Sequence, residues 1–242
     1  MLALSALDSE IGRYLGHGSF GYRTIQLEKE HPVTERPVAA WEVHAIRLSL
    51  ARNGIPQEEA AKAVAAEVGE SLGEDRGNVV ALRIKASKSK GEAASLAADA
   101  IEGHPEDYRA WLFRGDLSKD VAARESDFRK AVELAPESEY ALNELAWLLV
   151  TTEREGEALP LAKRAAALAP WSAATLDTLA AAVQGLGRCT DALFIQRRAV
   201  DVLSELAPAD MRKRFSDRVD ALAASCGSAP AAPAAAPAAK KP

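Results

Sequence analysis

Apolar residues recur at spacings of three and four positions along most of the chain, which is the pattern of helices with one buried face. The segment from Glu139 to Pro170 carries two such stripes in succession. The first consists of Leu142, Leu145, Ala146 and Leu149. The second consists of Ala158, Leu161, Ala162 and Ala165. Glu153 to Gly156 interrupt the pattern, and Pro170 ends the second helix because proline cannot continue it. The segment therefore predicts a helical hairpin.

The same hairpin pattern recurs along the chain. Pro105, Pro136 and Pro170 close three segments with similar ends, and Pro170 follows Pro136 by 34 residues and Pro136 follows Pro105 by 31. A period near 34 is typical of stacked helix-turn-helix units. A single hairpin cannot bury both stripes alone, so neighbouring units must pack on one another.

Flanking segments extend this array. Val38 to Arg52 and Gln57 to Val68 predict the two helices of a degenerate repeat, with Pro56 in a first turn. Asp210 to Ala224 predicts a final amphipathic helix that caps the last apolar face. Its inward residues are predicted to be Phe215, Val219 and Leu222.

Four regions follow from this pattern. Residues 1–37 fit no repeat, and residues 38–208 are predicted to form the repeats, most clearly over 78–206. Residues 209–226 are the expected cap, and the Ala/Pro-rich residues 227–242 are expected to be disordered because they have little to bury.

Composition supports an all-helical fold. Apolar residues make up 48 % of the chain but aromatic residues only 5 %, so alanine and leucine, which favour helices, dominate. A net charge of −5 gives no general attraction to nucleic acid or anionic membranes. No apolar run approaches the roughly 20 residues that cross a bilayer. Without such a run or a convincing signal peptide, the expected location is cytoplasmic.

The repeated segments resemble the tetratricopeptide repeat (TPR). One unit matches the TPR pattern at Trp111, Gly115, Phe128, Ala131 and Pro136. The next two match at Leu142, Leu145, Ala146, Gly156, Ala158, Ala165 and Pro170, and then at Leu176, Leu179, Ala180, Gly187, Ala192 and Ala199. The resemblance implies a right-handed superhelix of four or five hairpins plus a cap, whose first helices line a concave groove for an extended peptide or a helix of another protein.

On that geometry, the residues beside the packing stripes point into the groove. They are Arg109, Phe113, Asp116, Tyr140, Asn143, Trp147, Thr151, Asp177 and Gln184. Tyr140 and Trp147 are candidates to anchor an apolar side chain or, alternatively, to pack against the neighbouring repeat. Asn143 is a candidate to hold a peptide backbone. The family's clamp for a C-terminal carboxylate is missing, since the inward positions carry Leu112, Asp116 and Thr178, so we expect no binding to chaperone C-terminal tails.

Candidate catalytic groups are sparse. Leu15 to Gly21 resembles the glycine-rich loop of protein kinases, but Trp41 stands where the phosphate-pairing lysine belongs and the other kinase motifs are missing. We interpret this loop as a flexible glycine turn or as the tail of a further domain. We therefore expect no catalytic residue, no cofactor site and no metal site.

Two further expectations concern the C-terminal third. Cys189 and Cys226 lie far apart outside any CxxC pair, so no disulfide is expected. The basic cluster Arg212-Lys213-Arg214, with Arg218, is interrupted by acidic residues and is expected to form a solvated helix face.

These observations predict a non-catalytic scaffold or adaptor that binds another protein, with no nucleic-acid partner and no membrane insertion. Self-association is a further alternative. Residues 1–37 motivate another one, in which the chain is the C-terminal regulatory or substrate-recruiting region of a larger enzyme with its catalytic domain upstream.

Overall fold

The computed structural model describes residues 57–204 and 207–227. These residues form ten α-helices and one short 3₁₀ helix, and they contain no strand. The all-helical prediction is therefore confirmed for this part of the chain. The predicted Val38–Arg52 helix, residues 1–37 and residues 228–242 lie outside the described residues.

The helices follow one another with short connections. In chain order they are α1 (Gln57–Glu74), α2 (Val79–Lys88), α3 (Ala93–Gly103), α4 (Tyr108–Leu117), α5 (Val121–Leu134), α6 (Glu139–Thr151), α7 (Glu155–Leu168), α8 (Ala173–Gly185), α9 (Cys189–Asp201) and α10 (Ala209–Gly227). The 3₁₀ helix, Lys90–Glu92, connects α2 to α3. Helix α1 begins at the predicted Gln57 and extends past the predicted end at Val68.

Four hairpins, α2–α3, α4–α5, α6–α7 and α8–α9, build the array. The two helices of each hairpin pack on each other, and each hairpin's second helix packs on the next hairpin's first helix. Helix α10 packs on α9 in the same way, so it takes the position of a further first helix. This is the stacking that the repeat period predicts.

A polar side chain begins the first helix of each hairpin. Asn78, Asp107, Ser138 and Ser172 each accept a hydrogen bond from a backbone N–H in the first turn of the helix that follows. Such caps satisfy one of the unpaired N–H groups at a helix start. The residues that directly follow α3, α5 and α7 are His104, Ala135 and Ala169. They share one backbone conformation, with φ between −131° and −138°. One repeated connection therefore links the hairpins.

Small residues bring the helices of the core together. Phe128 and Leu145 are almost fully buried, and they pack with Ala131, Ala146 and Ala158. Gly115 on α4 lies so close to the Phe128 ring that a Cβ there would sit 2.5 Å from its Cε1 atom. The alanines and this glycine permit a short distance between neighbouring helices.

The first helices form the inner face of the array. Helix α2 contacts α4, and α6 contacts α8, whereas among the described helices no two neighbouring second helices pack to the same extent. Elements that are closer together on one side of a stack lie on its concave side. The inner face therefore belongs to α2, α4, α6, α8 and α10.

The prediction of no disulfide is wrong. Cys189 and Cys226 form one, with their Cα atoms 5.5 Å apart. Helix α10 runs antiparallel to α9, which places the end of α10 beside the start of α9. A separation of 37 residues along the chain therefore becomes a short distance in the fold.

Candidate functional site

The inner face carries the residues that the sequence singled out. Helix α4 supplies Arg109, Phe113 and Asp116, helix α6 supplies Tyr140, Asn143, Trp147 and Thr151, and helix α8 supplies Asp177 and Gln184. The structure brings some of them together in two groups and leaves others apart.

The first group lies between α2 and α4. The Arg83 guanidinium donates a hydrogen bond to Asp116 Oδ2 at 2.9 Å and stacks 5.6 Å from the centroid of the Phe113 ring. Arg83, Phe113 and Asp116 line a pocket of about 420 Å³, together with Ala86, Ser87, Lys90, Ala93 and Leu117. Because Arg83 pairs with Asp116, this part of the face combines an ion pair with an aromatic surface.

The neighbouring part of α6 is acidic and aromatic. Burial raises the pKa of the Glu144 carboxyl, and the nearby negative charge of Asp116 adds to the effect. Burial also raises the pKa of Tyr140, with further contributions from Asp116 and Glu144. The Tyr140 side chain nevertheless remains reachable, since the residue is 42 % exposed. Asp116, Tyr140 and Glu144 thus form one electrostatically linked group.

Asn143 lies beneath this surface. The residue is 8 % exposed, and its Oδ1 atom is buried without a hydrogen-bond partner among the described residues. An amide placed in this way supports the α6 surface from below. Its predicted contact with a peptide backbone stays a prediction.

The second group lies where α6, α8 and α10 meet. The Arg218 guanidinium stacks 5.4 Å from the centroid of the Trp147 ring, and its Nη1 lies 3.3 Å from Asp177 Oδ2. The other Asp177 oxygen, Oδ1, accepts a hydrogen bond of 2.8 Å from the amide of Gln196, which is fully buried on α9. Four helices therefore meet through one polar and aromatic cluster.

The prediction of a solvated basic face is wrong for Arg218. Its side chain is 31 % exposed and contacts both Asp177 and Trp147. The signal was present in the sequence, because Arg218 shares a helical stripe with Phe215 and Leu222, three residues after one and four before the other. Arg83 and Glu144 were also missed, since neither belongs to the TPR pattern.

Other predicted groove residues lie elsewhere or stand alone. Arg109 turns to Asp107, with which it makes an ion pair of 2.6 Å. Thr151 and Gln184 lie in the last turns of their helices, and Thr151 donates a hydrogen bond to the Leu148 carbonyl of its own helix. The predicted inward positions of Leu112 and Thr178 are wrong, because both residues are buried between helices.

No group of three or more His, Cys, Asp and Glu side chains in 57–204 and 207–227 is placed to hold a metal ion. Within the same ranges, no helix combines the length and the apolar character that crossing a membrane requires.

Stacked hairpins whose first helices form the inner face define a TPR-like α-solenoid. No protein-family model and no curated protein sequence matches the chain. Several solved structures, in contrast, match its fold. The thermophilic TPR protein TTC0263 of Thermus thermophilus superposes with a TM-score of 0.54 and 15 % identity, covering 75 % of this chain and 99 % of that one.

Two further structures share the fold. Yeast Tom70 matches with a TM-score of 0.57 and 16 % identity over 77 % of this chain and 40 % of its own. YrrB, described as a TPR protein with an unusual peptide-binding site, matches with a TM-score of 0.50 and 15 % identity over 66 % and 84 %. At these identities the similarity concerns the fold, and it confirms the TPR-like architecture.

Proposed function

We propose that this protein is a non-catalytic scaffold that binds a peptide or helical segment of another protein along its inner face. The observation that carries the proposal is a strip on α6, where the exposed Tyr140 and the half-buried Glu144 and Trp147 follow one another at helical spacing. Aromatic side chains with a polar edge give large contact areas at low entropic cost and dominate many protein interfaces. The peptide-binding site in the description of YrrB offers a precedent on the same fold.

The strip also favours a particular partner chemistry. Burial and the charge of Asp116 disfavour the charged Glu144 carboxylate, and the charges of Arg124 and Arg83 offset only part of this effect. A lysine or arginine of the partner would compensate that charge, while Tyr140 and Trp147 would flank the aliphatic part of the same side chain. The preferred segment is therefore one that combines a basic residue with an apolar one.

The test compares two exposed aromatic residues on different faces. Tyr140 lies on the inner face, and Phe194 on α9 is 71 % exposed on the outer one. We expect partners captured by the immobilised wild-type chain to be retained by Phe194→Ala and lost by Tyr140→Ala, as measured by quantitative mass spectrometry. Retention of the same partners by both variants would contradict the groove assignment.

A charge reversal tests the partner chemistry separately. Glu144→Lys should weaken capture at least tenfold, because it places a cation where the partner's cation is expected. Glu137→Lys, on the connection before α6, adds the same charge away from the strip and serves as the matched control. Equal losses in both variants would show a general charge effect and would remove the proposed preference for a basic segment.

A further inference from the structure

Helix α10 completes the inner face of the array. It packs on α9 where a next hairpin's first helix would lie, and Phe215 and Leu222 are its two deeply buried side chains among those described. Phe215 packs with Leu176 and Ala199, and Leu222 with Val183 and Ala192. Met211 is partly buried against the same cluster as Phe215, and most other residues of this helix are exposed, so its attachment to the array rests on few apolar contacts.

Arg218 makes this attachment relevant to the groove. Its contacts reach Asp177 on α8 and Trp147 on α6, and Trp147 belongs to the strip proposed above to bind a partner. The position of α10 therefore determines whether the Arg218 guanidinium covers Trp147 or leaves it accessible to a partner.

The disulfide ties α10 at the end opposite to its entry. Cys189 is the first residue of α9, and Cys226 lies one residue before the end of α10. The bond thus fixes the C-terminal end of a helix whose N-terminal end is already connected to α9 by the chain. Because both of its ends are held, α10 cannot leave the inner face by fraying from its C-terminal end.

We propose that the Cys189–Cys226 disulfide fastens α10 as the last wall of the groove. The oxidised chain presents Arg218 over Trp147, and the reduced chain releases α10 and uncovers Trp147. Release requires a dithiol reductant, which supplies two electrons and two protons as the Sγ–Sγ bond breaks into two thiols, and which ends as its own cyclic disulfide. The consequence for partners rests on the proposed function, whereas the release of α10 does not.

Hydrogen exchange on the full chain tests the release. Samples are the oxidised wild type, the wild type reduced with dithiothreitol, and the Cys189→Ser, Cys226→Ser double variant. We expect amides of α10 to exchange at least tenfold faster in the last two samples, with those of α4 to α7 unchanged. Unchanged exchange of α10, or acceleration throughout α4 to α7, would overturn the proposal, as would two free thiols in the wild-type chain purified without reductant.

Hydroxyl-radical footprinting tests the effect on the groove without a partner. In the double variant we expect oxidation of Trp147 to rise about twofold or more, with Trp111 on α4 as the internal control. Arg218→Ala, which keeps the disulfide, should uncover Trp147 while the exchange of α10 stays slow. If Trp147 is equally reactive in all three proteins, α10 does not cover it. These readouts stand even if no partner is captured, so they separate failure of this inference from failure of the proposed function.

Discussion

Gly115 shows how a single side chain sets the distance between two helices. A Cβ at this position would lie 2.5 Å from Cε1 and 2.7 Å from Cδ1 of Phe128, whose side chain is fully buried in the core cluster. We expect Gly115→Ala to lower the free energy of unfolding by about 1 to 3 kcal/mol, since overpacking a tight core costs this much. Urea denaturation measures the change.

Gly156 on α7 provides the control for this substitution. A Cβ there would meet no atom within 4 Å. Gly156→Ala should therefore be neutral or stabilise by up to about 1 kcal/mol, because alanine restricts the unfolded chain and favours the helix. Equal effects of the two substitutions would mean that the α4–α5 contact is looser than the structure shows.

Glu144 is expected to cost stability at neutral pH. Its pKa is raised in the folded chain, mainly by burial, so the folded state binds the proton more tightly than the unfolded state does. Stability therefore falls as the pH rises through the folded pKa, and the cost disappears in acid. Glu144→Gln should raise the free energy of unfolding by on the order of 0.5 kcal/mol at pH 7.

The pH dependence makes that prediction specific. Near pH 4 the benefit of Glu144→Gln should vanish, because the wild-type carboxyl is then largely protonated and resembles the amide. Thermal unfolding at both pH values, with Glu137→Gln as an exposed control, measures the difference. A benefit that is equal at the two pH values would attribute the effect to packing rather than to charge.

At the scale of elements, His104 joins two connections. It lies at the end of α3, and its Nε2 is 2.7 Å from Asp75 Oδ2 in the α1–α2 connection. Partial burial lowers the pKa of His104, but the hydrogen bond and charge of Asp75, with a smaller contribution from Glu106, outweigh it and raise the pKa above 6.5. When His104 is protonated, its ion pair with Asp75 therefore holds the α3–α4 connection against the α1–α2 connection.

The contribution of this pair should be lost as the pH rises. Since the folded pKa is raised, the stabilisation is fully present below pH 6.5 and disappears above the folded pKa. Asp75→Asn should lower the His104 pKa in an NMR titration. It should also destabilise the protein at pH 6 by more than at pH 8, because the wild type has lost the contribution of the pair at the higher pH. Glu106→Gln should shift this pKa less, because Glu106 lies 3.5 Å away and is mostly exposed. A His104 titration unmoved by Asp75→Asn would contradict the pairing.

The hairpins could be predicted from the sequence, but the contacts that link α10 to the other helices could not. Stripes such as Leu142–Leu149 and terminators such as Pro170 are local signals, so helices and turns could be predicted from them. The stripe that Arg218 shares with Phe215 and Leu222 indicates its side of α10 but not its partner. The Cys189–Cys226 bond and the Arg218–Asp177 contact depend on how α10 lies against α8 and α9, which no local pattern encodes. The same holds for Leu112 and Thr178, whose assignment to the inner face required the rotation of each helix about its axis.

At the scale of the whole molecule, the disulfide compensates for a thin cap. The Phe215 and Leu222 side chains supply about 1.5 to 3 kcal/mol each when buried. A cross-link that closes a loop of this size contributes about 4 kcal/mol in the chain-entropy account. The bond is therefore comparable to the whole deeply buried apolar contact of α10. In a stacked array each unit is held by its neighbours, so a fastened end also protects α8 and α9.

This dependence leads to a prediction about where the protein works. Disulfides persist in oxidising compartments, whereas a reducing cytosol keeps such thiols reduced. Because the end of the array relies on the bond, we expect the protein to reside in an oxidising compartment, in contrast to the cytoplasmic location expected from the sequence. To measure the redox state in the cell, cells that make the protein are quenched in acid, and their proteins are alkylated without reductant and digested for mass spectrometry.

The Cys189–Cys226 linked peptide should account for most of the protein in that digest. A second aliquot, reduced and then alkylated with a reagent of different mass, gives the matched control, since both cysteines should carry only the second label. Recovery of both cysteines with the first label would contradict the prediction. It would mean that the array works in the cell with α10 held by its few apolar contacts and the Arg218–Asp177 pair alone, and that Trp147 is uncovered more often than the oxidised structure shows.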